Sequence, residues 1–322
     1  MPRGPLVSII IPTKDRKKKL EACLRSVFSQ SYKQIQVIVV DNASSDATPT
    51  MIRRYFSDVF YICNTTNLGA AVAKNQGLKV ARGEYVWFLD SDSRVDNVHC
   101  LEIMVNLLTE HGDIGSLGGE LCSMPDNKII CVVKYSSIKK FGETKYFPPH
   151  EVILEDCDYC VTCNCFMRRK DIVTLGGFDP AYFYLCEDTE IGYRLKRMGK
   201  RNVCDYRVAV FHDIDVNSQR NYFLNFRNPL RFAIKNFPFY YVIILPFSLL
   251  FFKPSKSIIQ RIKLKDPGVW KYFPPYGSSK IQFIYFAVKI FVAVVYAYLW
   301  NIVFLPKTLS SRFRKRNYID NA

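Results

Sequence analysis

Tyr85-Val86-Trp87-Phe88-Leu89-Asp90-Ser91-Asp92 is an unbroken apolar run that ends in two carboxylates one residue apart. Five consecutive aromatic and branched residues read as a strand buried on both faces, and the acids mark the point where the chain leaves the core. Towards the N-terminus, Val7–Ile11, Ile35–Val40 and Val59–Ile62 repeat the pattern. The segments between them read as helices. Leu20, Leu24, Val27 and Phe28 recur at helical spacing, Asp46 is placed to cap a helix running to Phe56, and Ala70 to Ala81 is rich in helix formers. Such βαβ alternation predicts an α/β fold with a mostly parallel central sheet.

Ligands of open α/β sheets gather beyond the carboxyl ends of the strands. Those ends are polar here. The first strand delivers Pro12, Thr13 and Asp15, the second Asp41 and Asn42, the third Asn64, Asn67 and Gly69, the fourth Asp90 and Asp92. Asp and Asn also begin turns, which explains one such end but explains four together less well. No Gly-x-Gly-x-x-Gly or Walker-type loop follows the first strand, so the dinucleotide and P-loop classes lose their main support. Asp90 and Asp92 could reach one hard divalent ion, Mg²⁺ or Mn²⁺, whose remaining positions would be filled by water and diphosphate oxygens.

As a set, these segments resemble the GT-A fold glycosyltransferases of family 2. The motifs are Val7-Ser8-Ile9-Ile10-Ile11-Pro12-Thr13, Val37 to Asp46, Asn67-Leu68-Gly69, Asn75-Gln76-Gly77, Gly83-Glu84-Tyr85 and Asp90-Ser91-Asp92, in the family's order. The resemblance covers about residues 6–230. It implies a Rossmann-like GT-A domain and a nucleotide-sugar donor bound by Pro12, Thr13, Asp15, Asp41, Asn67, Lys74, Asn75, Asp90 and Ser91. Within that set Asp41 would meet the base or ribose, and Asp90 and Asp92 the ribose and the metal-diphosphate. Two positions depart from the pattern: Lys14-Asp15 stands where an aromatic residue and Asn are commoner, and Lys74 where an Arg often precedes the Asn. A lysine can still meet a phosphate as a point charge.

Gly176-Gly177-Phe178-Asp179, then Glu187-Asp188 and Arg194, resemble the acceptor side of the same family, in particular its rhamnosyltransferase-like branch. The acidic pair opens a helix expected over Thr189 to Met198, whose positive end favours ionised carboxylates. A simple helix cap is the alternative. The resemblance makes Asp188 the general base, with Glu187 beside it, in an inverting single displacement. Removing the proton of an acceptor hydroxyl is work that a carboxylate within hydrogen-bond reach performs. Arg194 reads as a supporting partner. His212 follows the run Val208 to Phe211 at another strand end, and the resemblance makes it a third candidate beside Asp90 and Asp92 for the metal or diphosphate.

Cys157, Cys160, Cys163 and Cys165 follow a spacing that could ligate zinc or an iron–sulfur cluster. The stretch nevertheless aligns with a family strand filled by small residues, and the four read as small buried hydrophobes. With eleven cysteines, an odd number, and only Leu6 to Ile11 as an apolar run before a basic stretch, a reduced cytosolic setting without a secretory signal is expected.

Charge divides the 322 residues unevenly. The chain carries +16, yet residues 231–322 hold 15 Lys or Arg against only Asp266 and Asp320. The same tail contains the two most apolar stretches, Phe237 to Phe252 and Ile281 to Leu305, which argues for an anionic membrane surface and against nucleic acid. Were both stretches to span, the basic loop from Lys253 to Lys280 would lie outside, against the positive-inside rule. Two in-plane, peripheral or re-entrant elements are therefore expected on the cytoplasmic side of the cell membrane. A buried face or a homo-oligomer interface is the other use of such residues.

The expected organisation is a catalytic domain over 1–230, with a nucleotide-sugar half at 1–115 and an acceptor half at 116–230, followed by a helical, basic, membrane-associating extension at 231–322. The expected activity is metal-dependent inverting transfer of a sugar to a hydroxyl of a lipid-linked saccharide, a step of glycan biosynthesis. A polyprenyl- or dolichyl-phosphate sugar synthase and a non-catalytic membrane scaffold built on a degenerate transferase domain are the two rivals. The Gly176 to Arg194 signature argues against the first, and the intact Asp41, Asp90, Asp92 and Asp188 set against the second.

Overall fold

In the computed structural model, residues 4–119, 121–123, 130–133, 136–138, 144–146, 154–213, 222–238, 280–313 and 319–320 are described. The N-terminal half builds strands β1 (Val7–Thr13), β2 (Ile35–Asp41), β3 (Phe60–Cys63), β4 (Tyr85–Leu89), β5 (Ser93–Arg94) and β6 (Ile114–Gly118). It also builds helices α1 (Lys17–Phe28), α2 (Thr48–Tyr55), α3 (Ala70–Val80) and α4 (Cys100–Glu110). Then come β7 (Leu121–Ser123), β8 (Ile130–Val133), β9 (Ser136–Ile138), β10 (Thr144–Tyr146), β11 (Leu154–Cys157) and β12 (Asn164–Arg168). Helices α5 (Arg169–Thr174) and α6 (Glu187–Arg197) and strands β13 (Arg201–Asp205) and β14 (Val210–His212) complete this part.

Eight strands form one sheet in the order β11-β13-β6-β12-β4-β1-β2-β3. β1 to β4 run parallel, β12 enters antiparallel between β4 and β6, and β13 returns parallel to β6. This is the expected mixed but mostly parallel GT-A sheet. Its strands alternate between two buried layers, as a period of two requires. Val7, Ile9, Ile11, Trp87 and Leu89 face one layer together with Leu20, Leu24 and Val27 of α1. Ile10, Val86 and Phe88 face the other with Ala71, Ala73 and Leu78 of α3. Helix α3 lies close to the sheet because Gly77 has no side chain: a Cβ there would come within 2.4 Å of Ile10 Cγ2. A smaller sheet, β5-β14-β7-β8, brings Ser93 opposite His212, and β9 and β10 pair separately.

Local expectations shift by a few residues. The third strand starts at Phe60, and α6 starts at Glu187, two residues before the predicted Thr189, so the acidic pair occupies its first turn. Asp46 lies one residue ahead of the α2 N-cap. Its carboxylate accepts from Thr48 N at 2.9 Å and from Lys17 N at 3.0 Å, tying the starts of α2 and α1 together.

The chain divides into two compact units. The first comprises residues 1–139, 143–214 and 315–322; the second comprises 140–142 and 215–314. The compositional division at 230 falls inside α7 (Tyr222–Asn236), and the C-terminal end rejoins the first unit, where Ile319 enters the layer of Ile10 and Phe178. In the second unit α7 packs on α8 (Lys280–Val303) and α9 (Leu305–Phe313), with Leu230, Ala233 and Ile234 against Tyr298, Leu305 and Leu309. The Arg227 guanidinium lies 4.6 Å from the Trp300 ring centroid, and Arg231 donates to Thr308 Oγ1 at 2.7 Å. Helix α8 leaves Val288, Phe291, Val292, Val295, Tyr296, Leu299 and Ile302 open to solvent at helical spacing. Among the described residues no single helix is long and apolar enough to cross a membrane, although Phe291–Val303 and Leu305–Arg312, bent by 62°, pass that test together. Residues 239–252 of the first apolar stretch, and the basic loop up to Ser279, lie outside the described residues.

Candidate active site

Four parallel strands deliver their polar ends to one edge, but most of those side chains are engaged with each other. Asp41 is fully buried; its carboxylate accepts from Ser44 N at 2.8 Å and from Tyr61 Oη at 2.6 Å. Asp15 has left-handed backbone, with φ of 50°, and accepts from Ser45 N at 2.6 Å, linking the loops after β1 and β2. Its hydrogen bond from Lys14, 2.7 Å away, together with the one from Ser45, holds this carboxyl down at about 2. Thr13 is buried and its hydroxyl has no hydrogen-bond partner among the described residues; Pro12 is half-buried and Ser91 buried. Asn67 Oδ1 accepts from Gly69 N at 3.0 Å, an Asx turn that starts α3.

Two of the expected donor-side residues are engaged within the protein. Lys74 is 2% exposed and donates to Glu187 Oε1 at 2.9 Å and Thr162 Oγ1 at 2.5 Å. Asn75 donates to Phe178 O at 2.8 Å and accepts from Phe178 N at 2.9 Å, a two-way brace on the acceptor loop. Both residues of α3 face the acceptor signature because helical geometry turns them inward while Gln76 bonds Asn64 on the strand-end side.

The acidic pair at the start of α6 follows an unusual approach. Phe183, Leu185 and Cys186 all have φ between 66° and 70°, conformations that cost of order 1–3 kcal/mol each and persist only where surroundings enforce them. The loop is held from α3: Ala71 N donates to Phe183 O at 3.2 Å, and Gly69, at φ of 86°, admits the Phe183 backbone where a Cβ would lie 2.7 Å from its carbonyl oxygen. Arg194 donates to the carbonyls of Gly177 and Leu175, pinning the loop before it. The result is two adjacent carboxylates in different surroundings. Glu187 is buried against Lys74, and burial and the Glu187 charge push Asp188 up to about 7. Asp188 Oδ1 also accepts from Thr189 N at 2.7 Å.

Across the site, Asp92 is nearly sealed, with its side chain 3% exposed, and Asp90 is about a third exposed at 35%. Arg16 meets Asp92 Oδ2 at 2.5 Å, while Asp92 Oδ1 is buried and has no hydrogen-bond partner among the described residues. His212 Nε2 lies 3.2 Å from Asp92 and 3.7 Å from Asp90. Burial pulls the His212 imidazole down, but the Asp90 and Asp92 carboxylates beside it outweigh that and raise the group to about 9. Asp90 is lowered: burial opposes its charge, and His212, Lys74 and Arg16 overcome that. Lys74 sits in the combined field of Glu187, Asp90 and Asp188, so the metal-side and base-side carboxylates share one electrostatic neighbourhood. A carboxylate oxygen of Asp90 and a ring nitrogen of His212 lie within 4.8 Å of one another, with the buried Asp92 carboxylate also beside the imidazole, and carboxylate and imidazole are donors a divalent cation takes. Asp90 and His212 thus fit the expected ion, with Asp92 beside them.

Arg16, Tyr61 and Thr162 carry no motif: Arg16 stands in a basic run and is legible only as charge, and Tyr61 and Thr162 show no signal of their own. Cys163 belongs to the cysteine cluster that the spacing singled out and that read as small buried hydrophobes. The four clustered cysteines are buried with free thiols, and they divide. Cys157, Cys160 and Cys165 pack in one layer, and Cys163 in the other.

Residues 8–174 match the family described as Glycosyl transferase family 2. Among curated relatives, the UDP-Glc:alpha-D-GlcNAc-diphosphoundecaprenol beta-1,3-glucosyltransferase WfaP of Escherichia coli is 44% identical over 89 residues, 27% of this chain and 35% of that one. The GalNAc(5)-diNAcBac-PP-undecaprenol beta-1,3-glucosyltransferase of Campylobacter jejuni is 34% identical over 95 residues, 28% of this chain and 31% of that one. The chain spans between 30% and 55% of the length of relatives such as the putative glycosyltransferase EpsH of Bacillus subtilis and an uncharacterized glycosyltransferase of Haemophilus influenzae. Among solved structures, mannosyltransferase PcManGT from Pyrobaculum calidifontis, in complex with GDP-Man and Mn²⁺, superposes with a TM-score of 0.54 at 17% identity, covering 93% of this chain and 87% of that one. GalNAc-T7 with UDP, GalNAc and Mn²⁺ gives 0.63 at 15% identity, covering 73% of this chain and 48% of that one.

Proposed function

Because the chain belongs to glycosyl transferase family 2 and is a glycosyltransferase, we propose that it transfers a sugar from a nucleotide-sugar donor to a hydroxyl of a lipid-linked saccharide, with inversion, at the cytoplasmic face of a membrane. The observation that carries this reading is the pair of carboxylates at the start of α6. Glu187 is held 2.9 Å from the Lys74 ammonium, and Asp188 is raised to about 7, where a carboxylate can both hold and release a proton at neutral pH.

Asp188 accepts the proton of the acceptor hydroxyl as that oxygen bonds to the anomeric carbon and the bond to the donor diphosphate breaks. Lys74 holds Glu187 in place, and the Glu187 charge in turn raises Asp188. Arg16 orients Asp92 through Oδ2 and leaves Oδ1 directed at His212. A Mg²⁺ or Mn²⁺ ion held by Asp90, Asp92 and His212 would supply positive charge for the leaving diphosphate. A phosphate acceptor needs no base, so the raised Asp188 favours a hydroxyl acceptor over a polyprenyl-phosphate one.

The lipid-linked acceptor is supported by the undecaprenol-linked substrates named for the Escherichia coli and Campylobacter jejuni relatives. The solvent-open apolar row on α8 and the basic excess after residue 230 support a membrane surface. The test is turnover of nucleotide sugars with a diphospholipid-linked saccharide by wild type and Asp188→Asn. Wild-type transfer lost in the variant, with donor binding retained, supports the reading; absence of transfer for every nucleotide sugar defeats it.

A further inference from the structure

The site holds a donor atom that neither the acidic motif nor the transfer chemistry calls for. A carboxylate oxygen of Asp90, a ring nitrogen of His212 and the Cys163 thiol lie within 4.8 Å of one another. Backbone pairing puts them there. Strand β12 runs antiparallel to β4 with Asn164 opposite Leu89; Cys163 sits in the turn just before β12, closed by Asn164 N donating to Val161 O at 3.0 Å, and Asp90 directly follows β4. Ser93, paired with His212 across β5 and β14, donates its hydroxyl to Cys163 O at 3.1 Å. Three strand ends from two sheets are thereby tied into one corner. Asp92 Oδ1, buried, without a hydrogen-bond partner among the described residues and 3.2 Å from His212 Nε2, borders the same corner.

Sulfur changes which cation such a corner prefers. Mg²⁺ is hard and keeps oxygen ligands, whereas thiolate and imidazole suit Zn²⁺ and Co²⁺. We propose that Cys163 is a thiolate ligand at the Asp90–His212 site, and that the site therefore takes Zn²⁺ or Co²⁺ much more tightly than Mg²⁺. This rests on the reading of Asp90, Asp92 and His212 as the metal site. Binding replaces the S–H bond of Cys163 by a sulfur–metal bond, and the proton passes to the buffer. Cys157, Cys160 and Cys165 pack in the other layer and take no part.

The test is titration of the full chain with Co²⁺ alone, followed by near-ultraviolet absorbance, where a sulfur-to-cobalt charge-transfer band reports a thiolate ligand. The band should saturate at one equivalent, be bleached by one equivalent of Zn²⁺, vanish in Cys163→Ser and persist in Cys165→Ser. Far-ultraviolet circular dichroism checks that each variant is folded, and Cys163→Ala repeats the measurement should Cys163→Ser unfold. Zn²⁺ affinity in the serine variant should fall at least about tenfold, while Mg²⁺ affinity changes less than about twofold, since Mg²⁺ draws on oxygen ligands. No band in the wild type, or a band that survives in the folded Cys163 variants, overturns the proposal. Mn²⁺ binding by electron paramagnetic resonance separates the two readings. Mn²⁺ bound without any cobalt–thiolate band leaves the carboxylate–histidine site standing and removes Cys163; failure of both ions to bind removes the site itself.

Discussion

Lys74 Nζ lies 2.9 Å from Glu187 Oε1 with the two side chains 2% and 6% exposed, so an ion pair sealed from water joins the middle of α3 to the first turn of α6. Burial disfavours the ammonium, yet Glu187 and Asp90 raise Lys74 and keep it charged. Removing one member leaves the other charged and buried. Lys74→Met should therefore cost about 3–5 kcal/mol of stability, and Lys74→Met with Glu187→Gln markedly less. Urea unfolding of the two single variants and the double variant measures this, and additive losses would refute the coupling.

The state of Asp188 predicts a pH dependence. Its carboxyl titrates at about 7, and only the ionised form can accept a proton, so kcat/KM should rise with pH through about 7 and level off above it. Burial and the Glu187 charge cause the shift, and Glu187→Gln removes the second cause, so the rising limb should move to lower pH. A limb left in place by Glu187→Gln would assign it to another group.

Asp188→Asn should lower transfer by about 10²–10⁴-fold while leaving donor binding nearly unchanged, the loss typical of a missing general base. Calorimetry with the nucleoside diphosphate and a transfer assay give the two halves of the comparison. Equal loss in both would make Asp188 a structural acid.

Asp92→Asn should abolish metal-dependent turnover and weaken nucleoside diphosphate binding in the presence of Mn²⁺, because the substitution neutralises the carboxylate that Arg16 and His212 share. Unchanged metal dependence would take Asp92 out of the ligand set.

Attachment to membranes should loosen in high salt or alkaline carbonate. Each Lys or Arg near an anionic surface contributes about 1 kcal/mol, and that attraction is screened by salt, whereas burial of the α8 apolar row is not. Vesicle sedimentation of the full chain across a salt series is the measurement. A protein that withstands both treatments and needs detergent has the bent α8–α9 segment across the bilayer.

Ile319 is 8% exposed in the layer that holds Ile10 and Phe178, so Ile319→Ala should destabilise the first unit by about 2 kcal/mol. An unchanged thermal midpoint would show that the C-terminal end does not dock. Any truncation meant to isolate the first unit must keep this segment.

The sequence by itself determined the alternation of strands and helices, because each element carries its own period: Val7, Ile9 and Ile11 against Ile10 in a strand, Leu20, Leu24 and Val27 along a helix. It also determined that Asp41, Asp90 and Asp92 stand at strand ends and that Glu187-Asp188 opens a helix, since those are properties of neighbours in the chain. Tertiary structure alone decided what these residues touch. Lys74 and Glu187 are 113 positions apart and Arg16 and Asp92 are 76 apart, so their meeting depends on how α3, α6 and the strand-end loops pack, which no local period records. Cys163 comes near Asp90 because β12 enters the sheet antiparallel to β4, so that its start meets the end of β4. The turn that precedes β12 then carries the thiol to the end of β4, so the pairing of strands distant in the chain fixed the chemistry of this corner.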